Sequence, residues 1–281
     1  MIRVVMLGRT GNNLFQYALG RVLAERHRVP LVLDGSWFNR RDWRAVSCLR
    51  RLPLRARVVR GWSVGSRALR KVTDRHHWEW KNVPTWKEAD GFTAFDPRFL
   101  DAPADCLLMG YFQSPQYFAS IDDSLRSELD LAGLPWGKRT GELAKRLGDG
   151  ESVAIHVRRT DFVGQAVFDV CGPAYYRRAM SRMRERLGKP KFFLFSDDPG
   201  WCREHLAGED AEVIAAPGAA EDPLLDLFLM SRASHQIIAN SSYSWWAAWL
   251  AKSPDQRVIA PNRWFGGHIQ ASIKDRLDPG W

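Results

Sequence analysis

Residues 152–161 read Ser-Val-Ala-Ile-His-Val-Arg-Arg-Thr-Asp, and the fold of the chain can be worked outward from them. Val153, Ile155 and Val157 are β-branched, and Gly148 and Gly150 stand just upstream, so Ser152–Val157 has the pattern of a short buried strand. The strand runs directly into Arg158, Arg159 and Asp161. In open α/β sheets, ligands bind beyond the carboxyl ends of the strands, so this one delivers fixed positive charge to a ligand-binding edge. Successive side chains of an extended segment point opposite ways. One arginine is therefore expected at an anion, and the other at a neighbouring carboxylate.

Downstream, the same unit repeats. Pro173 opens a helix running to about Leu187, basic on its polar side. Lys191–Phe195 is a second buried strand, and it delivers Ser196, Asp197 and Asp198. The two acids are adjacent rather than arranged as DxD, so they point apart and do not form a site for a metal-bound diphosphate. Asp197 is expected to accept from the N–H edge of a guanine, the donor logic by which carboxylates recognise base amino groups. Asp198, standing before Pro199, fits the N-cap of the next helix. Residues 223–231 form a helix and 235–239 a third strand. Asn240-Ser241-Ser242-Tyr243-Ser244 then opens a helix over 245–252. Capping needs one such side chain, and four of these five residues qualify. The helix start is read as a phosphate site, where backbone N–H groups and the positive end of the dipole meet an anion. Residues 258–262 make a last strand.

Upstream, residues 2–7 form a strand, 8–13 a turn, 14–25 a helix and 30–34 a second strand, which is the opening of a Rossmann-like unit. The turn is neither GxGxxG nor GxxxxGK[ST], so a dinucleotide fingerprint and a P-loop are both absent. Asn12 is expected to line a cleft opposite the arginines. Residues 106–109 are a further strand, 118–131 a helix, and the linker falls between Gly137 and Gly150. Two domains follow, 1–145 and 146–281, the usual outcome for 281 residues. The fold class is α/β, with two Rossmann-like domains facing a cleft. Trp37, Phe38, Trp78 and Trp86 in the first half read either as core or as stacking platforms for sugars.

A net charge of +9 and a pI near 9.6 suit an anionic partner. Residues 50–81 carry ten Lys and Arg against Asp74 and Glu79, with Trp62, Trp78 and Trp80 interleaved. The preferred functional reading of this stretch is a patch for anionic lipid; RNP, zinc-finger and helix-turn-helix patterns are missing, which disfavours nucleic acid. Cys48, Cys106, Cys171 and Cys202 lack metal-ligand spacing and read as free thiols of a reducing compartment. The opening apolar run is too short for a signal or a span. The expected location is cytoplasmic, with peripheral contact at the inner membrane face.

Taken together, LGRTGNNLFQYALGRVLA, IHVRRTDF, FLFSDD, LMSRASHQIIANSSYSWWAAWL and VIAPNRWF resemble the α-1,2-fucosyltransferases of glycosyltransferase family 11, in the family's order from residue 7 to 265. HxRRxD and the NSS-aromatic-SWW stretch are the specific matches. The resemblance implies a GT-B architecture, a GDP-fucose donor held mainly by the second domain, and no required metal or other cofactor. It also implies inversion at the anomeric carbon and an acceptor that is typically a terminal galactose of an oligosaccharide; the basic charge without an anchor adds the expectation of a lipid-linked or soluble acceptor. Carried over, Arg158 is the diphosphate ligand and Arg159 its structural partner on the donor side. His156 and Asp161 complete the motif as catalytic candidates with Asn12. Ser241 and Ser242 meet the phosphates, Asp197 reads guanine, and Ser196 and Gly11 complete the donor contacts. The family's opening GGLGNQ-x-FQYA is altered here at Arg9, Thr10 and Asn13, while Gly11, Asn12, Phe15 and Gln16 match. The related α-1,6-fucosyltransferases follow HVRRTD with a Lys and a catalytic Glu; Phe162 and Ala166 stand there instead, so that reaction is not implied. Another deoxy-sugar donor, a non-catalytic nucleotide- or sugar-binding protein, and nucleic-acid binding through 50–81 are the competing readings.

Overall fold

The hydrophobic runs that mark buried strands build two sheets, each of five parallel strands. The computed structural model describes residues 1–38, 43–59, 83–89, 95–215, 218, 222–267, 269 and 273–281. Within these the chain divides into two compact units, Met1–Leu129 and Asp130–Trp281, where the sequence reading sets its boundary at 145/146.

In the first unit β1 (Ile2–Val5) is central, flanked by β2 (Leu31–Asp34) and β5 (Cys106–Met109), with β3 (Arg57–Val59) and β4 (Thr85–Lys87) at the edges. All pairings are parallel. Helix α1 (Thr10–His27) follows β1 and is buried along most of its length. It begins four residues earlier than its apolar periodicity indicates, so Gly11, Asn12 and Asn13 lie in its first turn rather than in a loop. Polar side chains explain the early start. Asn13 Nδ2 donates to the Leu7 carbonyl at 2.9 Å, and Gln16 accepts the Leu7 N–H at 3.1 Å and donates to the Gly110 carbonyl at 2.8 Å. These bonds tie the ends of β1 and β5 to the helix. Gly8, at φ +73°, makes the turn: a Cβ there would lie 2.2 Å from the Asn12 side chain.

Two expectations in this stretch need correction. The helix expected over 118–131 is interrupted: two 3₁₀ turns precede α3 (Asp122–Glu128), which follows the single turn α2 (Arg44–Ser47) in chain order. Phe118 and Ile121, with φ near −128° and −127°, break the run. The expected linker beyond Gly137 is instead a helix, α4 (Lys138–Gly148), whose Ala144 and Leu147 are buried. Its charged residues sit on the solvent face, which is why it reads as a linker.

In the second unit β6 (Ser152–Val157) is central, and all six of its residues are buried. It lies between β7 (Lys191–Ser196) and β9 (His235–Ile237), with β8 (Ala211–Val213) and β10 (Val258–Ile259) outside, all parallel. Strand parity sorts its neighbours. Val153, Ile155 and Val157 pack with Tyr176, Ala179, Met180 and Met183 of α5 (Pro173–Leu187) and with Cys202 of α6 (Pro199–His205). His156, of opposite parity, packs its ring 5.6 Å from that of Tyr243 in α8 (Ser242–Leu250), against which α7 (Leu225–Ser231) also packs. The basic segment lies largely outside the described residues, including Trp62, Trp78 and Trp80. Phe38 is buried, and Trp86 packs edge-on against Phe99. The four cysteines are buried and free. No helix among the described residues is long and apolar enough to cross a membrane.

Glu128, buried at the end of α3, accepts from the Tyr17 hydroxyl and from Arg21 Nε at 3.0 Å. Arg21 is itself only 4% exposed. Glu128→Ala leaves the buried Arg21 with only its half-exposed Glu25 partner, and its expected cost is about 3 kcal/mol, read as a lowered denaturation midpoint of the full chain.

Candidate active site at the carboxyl edge of the second sheet

The register of β6 against β7 pairs Val157 with Ser196. One step further it sets Arg158 beside Asp197, and one more sets Arg159 beside Asp198. The adjacent acids thus face the adjacent arginines one to one. Arg158 lies 2.9 Å from Asp197 and 2.7 Å from Asp161, with its guanidinium 5.7 Å from the Phe162 ring centroid. Arg159 turns to the other face. Its guanidinium lies 4.1 Å over the Trp201 ring and its Nε donates to Asp198 at 3.2 Å. Arg159 is therefore packed against α6, and Arg158 occupies the side of the strand that faces α8.

Asp197 is the hub. Its Oδ1 accepts the Arg159 backbone N–H at 2.9 Å, and its Oδ2 accepts from the Thr160 hydroxyl at 2.7 Å besides facing Arg158. Both oxygens hold the strand end in shape. Asp198 caps α6, accepting the Trp201 N–H at 3.0 Å; that bond, with help from Arg159, holds its carboxyl below the usual range. The Ser196 hydroxyl accepts the Asp198 N–H at 2.9 Å.

On the other side of β6, Ser241 caps α8 by accepting the Tyr243 N–H at 3.3 Å, and Ser242 is the first residue of that helix. Asn240 is buried and donates to the Phe168 and Trp264 carbonyls at 3.0 and 2.9 Å. It thereby holds the loop that follows Asp161. The structure thus gathers His156, Arg158, Arg159, Asp161, Ser196, Asp197, Ser241 and Ser242 at one edge of one unit. Gly11 and Asn12 belong to the first unit, where Gln113 Nε2 donates to Asn12 Oδ1 at 2.8 Å.

Sequence reasoning missed Asp226. It lies in the first turn of α7, and its Oδ1 is buried with no hydrogen-bond partner. Burial pushes its carboxyl up to about 6. Three residues earlier the Pro223 carbonyl accepts the Tyr243 hydroxyl at 2.7 Å, and Tyr243 is the ring that covers His156. A usable signal was present, since an acid inside the apolar run Leu224–Met230 is the kind of buried polar group that calls for an explanation.

His156 Nδ1 is likewise buried and unpartnered. Burial, reinforced by Arg158 and opposed by Asp197, lowers its pKa to about 3. The unfolded chain takes up this proton near the ordinary value of 6.5 and the folded chain only near 3. Unfolded protein therefore binds more protons in that window, and stability falls as pH drops through it, by up to about 1.4 kcal/mol per pH unit. In unfolding free energies measured from pH 7 to 4, His156→Gln should lose this part of the slope; an identical slope in both proteins would refute the assignment.

The profile of the family described as "Glycosyl transferase family 11" matches residues 69–281. An α-1,2-colitosyltransferase of Escherichia coli is 32% identical over 164 residues, covering 56% of this chain and 55% of that protein. A galactoside α-(1,2)-fucosyltransferase 1 of Lagothrix lagotricha is 29% identical over 193 residues, covering 64% of this chain and 50% of that protein. The chain thus spans about half the length of these two relatives. Among solved structures, that of the α-1,6-fucosyltransferase NodZ soaked with GDP-fucose aligns with a TM-score of 0.51 at 13% identity, over 89% of this chain and 92% of the other, a likeness of fold of the GT-B type. With a profile match over most of its length, the chain belongs to glycosyl transferase family 11.

Proposed function

We propose that the protein transfers L-fucose from GDP-fucose to a hydroxyl of a galactoside acceptor, forming an α-1,2 linkage with inversion and without a metal. The observation that carries this reading is Arg158, held between Asp161 and Asp197 on the side of β6 that faces the start of α8. Two carboxylates fix the guanidinium and leave further N–H donors of its five for an anion. Together with the positive end of α8, it meets the diphosphate. Charge grows on the diphosphate as the bond to the sugar breaks, so these groups bind the transition state more strongly than the ground state.

The base is read elsewhere than the sequence suggests. Asp197 has both oxygens engaged, whereas Asp226 keeps a buried oxygen for the N–H donors of guanine, and the unpartnered His156 Nδ1 is a second polar contact in the same neighbourhood. His156, with a pKa of about 3, is a weak base. Asp161 is the carboxylate left to receive the acceptor's proton, and departure of GDP carries most of the barrier.

The α-1,2 linkage is supported by the names of both relatives, which differ in the sugar. Colitose, fucose lacking one hydroxyl, is therefore the second reading for the donor. A site that hydrogen-bonds the missing hydroxyl would separate the two donors by about 10⁴-fold or more in kcat/KM, and one that ignores it would barely discriminate. A lipid-linked acceptor and peripheral attachment to anionic membrane belong to the same proposal. They rest on the overall positive charge.

Three experiments test the donor site. Calorimetry with EDTA present should show selective binding of GDP and GDP-fucose over UDP and CMP; binding that needs Mg²⁺, or shows no base preference, refutes the site. Arg158→Ala should lose about 1.5–3 kcal/mol of transition-state binding, or roughly 10–150-fold in kcat/KM. Asp226→Asn should abolish the preference for guanine, whereas near-normal selectivity in that variant would return base recognition to Asp197.

A further inference from the structure

We infer that Trp37 is the platform on which the acceptor galactose stacks, an inference that rests on the acceptor class proposed above. Among the described residues it is the one exposed tryptophan, at 65% of its full accessibility; the others are buried or half-buried. Its place matters more than its exposure. β1, β2 and β5 are adjacent and parallel, so their carboxyl ends lie along one edge of the first sheet, the edge at which such sheets take ligands. Trp37 follows β2 there. Asn12 follows β1, Gln113 follows β5, and the two amides are hydrogen-bonded to each other at 2.8 Å. An exposed indole on the same sheet edge as two planar amides is the equipment of a sugar site, an apolar face for C–H groups and donors and acceptors for hydroxyls.

The turn that presents the indole is built rather than loose. Asp34, 6% exposed, accepts from Arg3 Nε at 2.7 Å and from the Ser36 N–H at 2.9 Å. The Phe38 N–H donates to the Gly35 carbonyl at 3.1 Å, and the Gly35 N–H to the Val59 carbonyl at 3.0 Å. Gly35 sits so close to Trp43 that a Cβ would lie 2.2 Å from its ring. Phe38 is buried. With its neighbours anchored on both sides, Trp37 is held outward, and its exposure leaves apolar surface in water that a ligand would cover. Galactose fits that surface. Its axial 4-hydroxyl points to one face and leaves the C–H groups of C3, C4 and C5 together on the other, an apolar patch the size of an indole. Glucose, with an equatorial 4-hydroxyl, lacks this clean separation of faces.

The test uses the full chain and two ligands measured separately. Saturation-transfer NMR would follow methyl β-galactoside and methyl β-glucoside, and calorimetry would follow GDP. Trp37→Ala should weaken galactoside binding about tenfold and erase its advantage over the glucoside, Trp37→Tyr should retain most of both, and GDP affinity should be equal in all three proteins. A Trp37→Ala protein that binds galactoside as the parent does overturns the inference while leaving the donor site standing. A parent protein that binds GDP but no galactoside also overturns it. Loss of GDP selectivity in the parent instead breaks the proposed function itself.

Discussion

A single charge arrangement organises the second unit: Arg158 and Arg159 at the end of one strand against Asp197 and Asp198 at the end of its parallel neighbour. The pairing is a consequence of register, because Val157 opposite Ser196 leaves the next two residues of each strand side by side. A largely buried guanidinium needs a partner that also fills its hydrogen-bonding geometry, and Arg158 has two. The arrangement propagates outward. Asp198 caps α6 and brings Trp201 under Arg159, while Asp197 pulls in the Arg159 N–H and the Thr160 hydroxyl. The loop beyond Asp161 is then closed from the far side by Asn240. The positive charge is consequently presented by a framework that has little freedom left.

The first unit uses polar side chains differently. There, Asn13, Gln16 and Glu88 are spent on backbone groups at the strand ends: Glu88 accepts the Tyr111 and Phe112 N–H groups at 2.6 and 2.9 Å, and Gly110 leaves room for it. These side chains replace the loop hydrogen bonds that the backbone cannot make with itself where helix, turn and strand meet. At the same edge Asn12 and Gln113 are half-buried and hydrogen-bonded to each other, and Trp37 is exposed. The two units thus differ in what their buried polar side chains hold: backbone groups in the first, an arginine–aspartate array in the second.

Asp197 and Asp226 are the same residue type in different surroundings. Both are acids near the carboxyl edge of the second sheet. Asp197 is exposed and has both oxygens hydrogen-bonded. Asp226 stands half-buried in an apolar helix, with its Oδ1 buried and unpartnered. Asp197 holds the strand end in shape, and an unsatisfied buried oxygen such as that of Asp226 calls for an explanation beyond packing.

Much of this was legible in the residues themselves. Mostly apolar runs mark β1, β5, β6 and β7, with β-branched positions in β1 and β6, because strands buried on both faces are predominantly apolar. The motif residues at their ends follow from the chain direction of a parallel sheet. Chain alternation alone sends Arg158 and Arg159 to opposite faces. The edge strands β3, β4 and β8 escaped notice, being three residues each, partly exposed and without a readable period. Helix α4 escaped because its one buried face is narrow, and the early start of α1 because side-chain bonds to distant strands stabilise it. Local composition determined which segments are buried and which residue types reach the ligand-binding edges. Tertiary structure alone decided which of those side chains are engaged and which keep a free hydrogen-bonding atom or an exposed ring, since partners and burial arise from residues dozens of positions apart.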